Sequence, residues 1–194
     1  EYDAFDSPNF PPLGVLGVST RFSAGLSPRR RSALQSEIDS RVFLLRVYPG
    51  LDPSLPLSLL PHIRGLVLEA YGAGNFPVDK DLGRSLRPVL AQAKDLGIPV
   101  VIVSQAQRNG VDLSLYESGN VALEEGAISG GDMTVSAALV KLMHAVANLR
   151  GQARSAYIER SVAGERSSVL ESSETHIGSA SAKIAYVRGK DGDS

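Results

Sequence analysis

The feature that most constrains this chain is an alternation of short apolar runs with segments of helical periodicity. "RVFLLRVYPG" (41–50) is β-branched and apolar and stops at a Pro-Gly turn, which predicts a buried strand. "SLPLSLLPH" (54–62) predicts a short leucine-rich helix or turn, and "IRGLVLEAYG" (63–72) a second strand. "VDKDLGRSLRPVLAQAKDLG" (78–97) places Leu82, Leu86, Leu90 and Ala93 on one helical face. Asp79 and Asp81 fall in its first turn, Gly97 supplies its stop, and Pro88 is expected to kink or split it. "IPVVIVSQ" (98–105) is the third and most hydrophobic strand, and "SLYESGNVALEEGA" (114–127) predicts a helix interrupted by Gly119. "AISGGD" (127–132) reads as a short fourth strand. "MTVSAALVKLMHAVANLR" (133–150) is the clearest helix, with Val135, Leu139, Leu142, Met143 and Val146 as its buried stripe. "QARSAYIERSVAG" (152–164) is a candidate last helix. Such alternation argues for an α/β fold, a short parallel sheet of about four strands flanked by helices in a Rossmann-like three-layer arrangement.

The two ends have a different texture. Residues 1–40 are rich in Pro, Ser and Arg, and Pro8, Pro11 and Pro12 forbid a helix through the first dozen residues. They read as a linker ending in a flexible loop, ahead of a domain at 41–165. Residues 166–194 are rich in Ser, Gly, Lys and Asp and are expected to form a mostly flexible tail. Within it, "AKIAYV" (182–187) is a candidate edge strand. Glu1, rather than a methionine, opens the chain, which suggests a piece of a longer protein or a processed product.

Bulk chemistry narrows the function classes. A net charge of −1 provides no global field for nucleic acid or an anionic membrane, and the Arg29-Arg30-Arg31 cluster reads as a solvated loop. The chain has no cysteine, so disulfides, thiolate nucleophiles and cysteine-ligated zinc are excluded. That composition fits a reducing compartment. No run of 18 apolar residues is present to span a bilayer as a helix.

In open parallel sheets, ligands gather beyond the carboxyl ends of the strands. Three polar clusters fall there: "EAYGAGN" (69–75), "SQAQRNG" (104–110) and "SGGDMT" (129–134). The first lacks a dinucleotide fingerprint, because Pro77 stands at the third glycine position, and it lacks the Gly-Lys-Ser/Thr of a phosphate loop. Its glycines allow positive φ and close backbone approach. They either push the Asn75 carboxamide outward or form a turn in which Asn75 itself is left-handed. Asp132 and Thr134 are each a candidate N-cap for the following helix or a ligand contact. His62, His144 and His176 are too far apart in sequence to suggest zinc. Glu124 and Glu125 read as a solvated pair, and no nucleophile elbow or Ser-x-x-Lys motif occurs.

Taken in order, these stretches resemble the C-terminal domain of the bacterial and archaeal type I L-asparaginases. The same order is similar to the D subunit of the archaeal glutamyl-tRNA amidotransferase. The matching segments are "AFDSPNFPPLG" (4–14), "VYPGL" (47–51), "IRGLVLEAYGAGNFP" (63–77), "GIPVVIVSQ" (97–105) and "YESGNVALEEGAISGGDMTVSAALVKLM" (116–143). "VAGERSS" (162–168) is a loose echo of the family's Arg-Gly-Glu ending, with Ala163 in place of the arginine.

The resemblance implies several things that the residues alone do not. The whole protein would hydrolyse L-asparagine to L-aspartate and ammonia through a threonine nucleophile, without a metal or organic cofactor. That nucleophile lies in an N-terminal domain whose Thr-Gly-Gly-Thr-Ile and Gly-Thr-Asp-Thr stretches do not occur in these 194 residues, so the isolated chain is expected to be inactive. The partners implied are that domain and a second copy, in a cytoplasmic dimer or tetramer, with Asn75 reaching the neighbouring subunit's active site. Further candidates for an amino-acid or regulatory site are Glu69, Tyr71, Ser104, Gln105, Asp132 and Thr134. Some family members carry a regulatory arginine where this chain has Glu69 and a cysteine near Ala106, and an acid at that place would repel an α-carboxylate. A module that binds an amino acid or a partner without catalysis is the alternative.

Overall fold

The computed structural model describes residues 12–22, 35–79, 83–106 and 110–167. A two-residue antiparallel pair, β1 (Gly14–Val15) and β2 (Arg21–Phe22), lies in the N-terminal segment. The domain follows as β3 (Val42–Arg46), α1 (Ser54–Leu59), a 3-10 turn (Leu60–His62) and β4 (Gly65–Ala70). It continues with α2 (Arg87–Asp95), β5 (Val100–Ser104), α3 (Glu117–Glu124), β6 (Ile128–Ser129), α4 (Val135–Asn148) and α5 (Gly151–Glu159).

Strands β3, β4, β5 and β6 pair in that order, all parallel. Parallel pairing leaves neither face to solvent, which is why every residue of β4 is buried. Alternate side chains of β4 and β5 enter two cores. Leu66, Leu68 and Ile102 pack with Leu86, Val89 and Leu90 of the α2 region on one face. Val67, Val101 and Val103 pack with Leu142, Ala145 and Val146 of α4 and with Ile158 of α5 on the other. Burying each such Leu, Ile or Val is worth roughly 1.5–3 kcal/mol, so these side chains fix the three layers before any polar contact is counted.

Five local expectations change. The helix expected over 78–97 is confined to Arg87–Asp95, and Pro88 sits in its first turn instead of kinking it. Proline suits that position, because its missing N–H would have had no partner there. Ser85 makes the entry, donating to Val78 O at 2.9 Å and accepting from Arg87 N at 3.3 Å. Asp79 therefore precedes the helix and is not a first-turn acid, while Asp81 and Leu82 lie outside the described residues. Gly119 does not interrupt α3; it lies inside the helix where the chain packs closely on Leu113. The buried stripe of α4 contains Leu142 and Val146 as expected, but also Lys141.

Thr134, not Asp132, caps α4, its Oγ1 accepting from Ala137 N at 3.2 Å. Thr134→Ala is expected to cost about 1 kcal/mol in chemical unfolding. An unchanged midpoint would mean that solvent replaces the cap.

Residues flanking the strands and helices are bonded to them. Asn148 Nδ2 donates to Glu37 O at 2.9 Å, and Asp39 N donates to Met143 O at 3.2 Å, so residues 37–39 lie along α4. At the other end Arg166 and Ser167 are bonded to the loop after β6. Arg29-Arg30-Arg31, His176 and the segment 182–187 lie outside the described residues.

Candidate functional site

The described residues of the three polar clusters follow the carboxyl ends of β4, β5 and β6. Segment 110–113 runs between the other two loops and bonds to both. Asp112 N donates to Ala73 O at 3.0 Å, Val111 N to Gly131 O at 2.8 Å, and Ser129 Oγ to Val111 O at 3.1 Å.

Loop 71–75 is closed on itself. Tyr71 N donates to Asn75 O and Asn75 N to Tyr71 O, both at 2.8 Å, which makes an antiparallel bridge of the two residues. The left-handed positions in this turn are Gly72 (φ 46°) and Gly74 (φ 112°). Gly74 is required twice, since a Cβ there would also stand 2.8 Å from Val111 Cγ1. Asn75 is exposed, and its Oδ1 accepts from Ser118 Oγ at 2.8 Å. Its Nδ2 hydrogens have no acceptor among the described residues.

The other sequence candidates hold the scaffold together. Glu69 is buried at the end of β4, where the register sets it beside Arg46; the two pair at 3.3 Å. Gln105 Nε2 donates to Val47 O at 2.6 Å and to Glu69 O at 3.0 Å, joining the ends of β3 and β4. Ser104 Oγ donates to Gly72 O and accepts from Ala106 N at 2.9 Å, so it ties β5 to the Asn75 loop. Tyr71 is half-buried and lines a cleft of about 250 Å³ with Tyr48, Leu51, Arg84 and Leu86. Asp132 accepts from Ser167 N at 2.8 Å and Ser167 Oγ at 2.6 Å, while Arg166 Nη1 donates to Ser129 O at 2.7 Å. The "SGGD" loop is thereby clasped by the chain's own downstream residues.

Among the described residues no group of three or more His, Asp or Glu could hold a metal ion. No helix there is long and apolar enough to cross a membrane. Glu124 and Glu125 bridge α3 to Arg87 and Lys94 of α2, at 3.3–3.9 Å. His144 of α4 packs its ring tilted at 33° against Tyr157 of α5, with centroids 5.2 Å apart. Among the described residues these loops carry one exposed carboxamide, that of Asn75, held by Ser118.

Two contributors carry little signal in the sequence. Ser118 has no periodicity or motif of its own beyond lying in the "YESGN" stretch, and the Glu165–Ser167 clasp falls at the edge of a segment whose composition predicts a flexible tail.

Comparison with known proteins identifies the family. The profile of the Glutaminase/Asparaginase C-terminal domain family matches residues 41–160. The chain is 38% identical over 168 residues to an L-asparaginase of Thermococcus kodakarensis, covering 84% of this chain and 49% of that protein. It is 33% identical over 152 residues to the D subunit of the glutamyl-tRNA(Gln) amidotransferase of Sulfolobus acidocaldarius, covering 75% of this chain and 33% of that one. The solved structure of the thermostable Thermococcus kodakarensis L-asparaginase superposes with a TM-score of 0.72 at 35% identity, over 86% of this chain and 50% of that chain. The chain thus spans about half the length of the Thermococcus kodakarensis asparaginase.

Proposed function

The chain belongs to the Glutaminase/Asparaginase C-terminal domain family, and from that membership we propose that it serves as the C-terminal half of an L-asparaginase-like amidohydrolase of the cytoplasm. The reaction is addition of water to L-asparagine, giving L-aspartate and ammonia, with the threonine nucleophile supplied by a preceding domain. This half supports pairing of two copies and presents Asn75 to the active site of the neighbouring subunit. The observation that carries the reading is the state of the Asn75 side chain. It projects from a closed turn, its oxygen is held by Ser118, and its Nδ2 is left to donate. Such a group orients a substrate oxygen by hydrogen bonding and takes no part in proton transfer.

The test is Asn75→Ala in the complete enzyme. Turnover of L-asparagine, followed by ammonia release, is expected to fall roughly tenfold or more, in line with the loss of one positioning hydrogen bond. Stability should drop by only about 1 kcal/mol, because the buried Ser118 hydroxyl loses its acceptor while the backbone turn persists. An unchanged rate would reduce the loop to a turn.

A further inference from the structure

We propose that Ser118 is the positioning residue that makes Asn75 a one-directional hydrogen-bond donor. This rests on the role proposed above for Asn75.

A free asparagine carboxamide can turn over by rotation and present either its oxygen or its nitrogen, and these look alike in shape. Nothing in loop 71–75 itself prevents that, since its closing bonds are all between backbone groups. Ser118 removes the ambiguity. Its Oγ donates to Asn75 Oδ1 at 2.8 Å, and the serine is only 2% exposed, so water does not compete for the contact. Turned over, the carboxamide would donate Nδ2–H to Oγ, and the buried hydroxyl hydrogen would be the group left without its acceptor, which sets the cost of that orientation. The Nδ2 edge, with two hydrogens, is thus held toward solvent as a donor. The substrate group it meets must be an acceptor oxygen, a carbonyl or a carboxylate, and not an ammonium.

The position of Ser118 is rigid for a reason already in the fold. It is the second residue of α3, and the next residue, Gly119, lies against the backbone of Leu113. Residue 112, just before, bonds to Ala73 in the Asn75 loop. Helix α3, segment 110–113 and loop 71–75 therefore form one connected unit, and the serine hydroxyl is its side-chain link to Asn75.

Two measurements test this. In the complete enzyme, Ser118→Ala is expected to lower kcat roughly tenfold, Ser118→Thr to restore most of it, and Ser118→Ala to add nothing in an Asn75→Ala background. In this chain alone, the paired side-chain amide proton resonances of Asn75 should move toward those of a freely rotating carboxamide in Ser118→Ala and return in Ser118→Thr. Unmoved resonances, or equal losses from Ser118→Ala with and without Asn75, would overturn the inference. Loss in Asn75→Ala with none in Ser118→Ala would sink the role of Ser118 alone. Full activity of Asn75→Ala would sink the role of Asn75 and this inference together.

Discussion

Gly119→Ala is expected to destabilise the domain by about 3 kcal/mol or more, a sign opposite to that of most helical glycines. Alanine inside a helix ordinarily gains about 1 kcal/mol over glycine through backbone entropy. Here the new Cβ would stand 2.0 Å from Leu113 O, 2.6 Å from its carbonyl carbon and 2.8 Å from its Cα. All three are backbone atoms, so no side-chain rotation relieves the overlap. Either α3 shifts outward by more than an ångström or segment 110–115 moves, and that segment is bonded to both neighbouring loops. Thermal unfolding of the variant should fall by roughly 10 °C, taking about 3 °C per kcal/mol for a domain of this size. A variant as stable as the parent would show that α3 is free to slide. The displacement also carries Ser118 away from Asn75, so activity in a complete enzyme should fall, through that contact by no more than in Asn75→Ala.

Glu165→Gln should be the other large loss, about 3 kcal/mol at neutral pH. Lys141 is the reason. Its ammonium enters the buried side of α4, with a side-chain exposure of 4%, and meets Glu165 Oε1 at 2.6 Å, the Arg160 carbonyl and the Tyr157 ring, 5.4 Å from its centroid. Burial pushes the Lys141 ammonium below its ordinary range, and Glu165 opposes that push. For Glu165 burial acts upward, but the Lys141 ammonium and the Ala163 and Val162 N–H groups outweigh it and hold the carboxyl down from 4.5 to about 2. Removing the charge leaves a buried ammonium with neutral partners only, which costs far more than loss of a surface pair.

The pH dependence follows from the sign of that shift. A depressed carboxyl contributes stability that is fully present above about 4.5 and is lost as pH falls through about 2. Its share of the acid-labile stability is about 3 kcal/mol. Asp39 is likewise held at about 2 by the Arg41 side chain and N–H, so Glu165 is read from the difference between parent and Glu165→Gln. That difference should be constant from pH 8 to 5 and shrink toward zero near pH 2. A gap that stays constant down to pH 2 would place the effect in shape and not in charge.

Both residues show where sequence reasoning stops. Lys141 lies among the apolar positions of the clearest helix in the chain, yet nothing in that helix names its counter-ion. Glu165 is the last residue of the domain expected at 41–165, next to a Ser- and Gly-rich tail whose composition reads as loose. Their pairing arises because α5 turns the chain back along α4, a long-range event that no local period encodes. Pro88 and Gly119 carry the same lesson at shorter range. The general habit of both residue types is to end helices, and each instead occupies the one helical position that its geometry suits.

By itself the sequence determined the order of strands and helices and the α/β class, because β-branched runs and helical spacing are local and survive in one dimension. It also determined the family, through the joint order of the "AYGAGN", "PVVIVSQ" and "SGGDMT" stretches. Only the tertiary structure decided what the polar residues after the strands do. It turned Glu69, Gln105, Ser104 and Asp132 into internal ties and left Asn75 exposed, its Oδ1 on Ser118. The reason is geometric: a hydrogen bond depends on ångström distances between groups such as Ser118 and Asn75, 43 residues apart, and those are set only when the sheet brings its loops together.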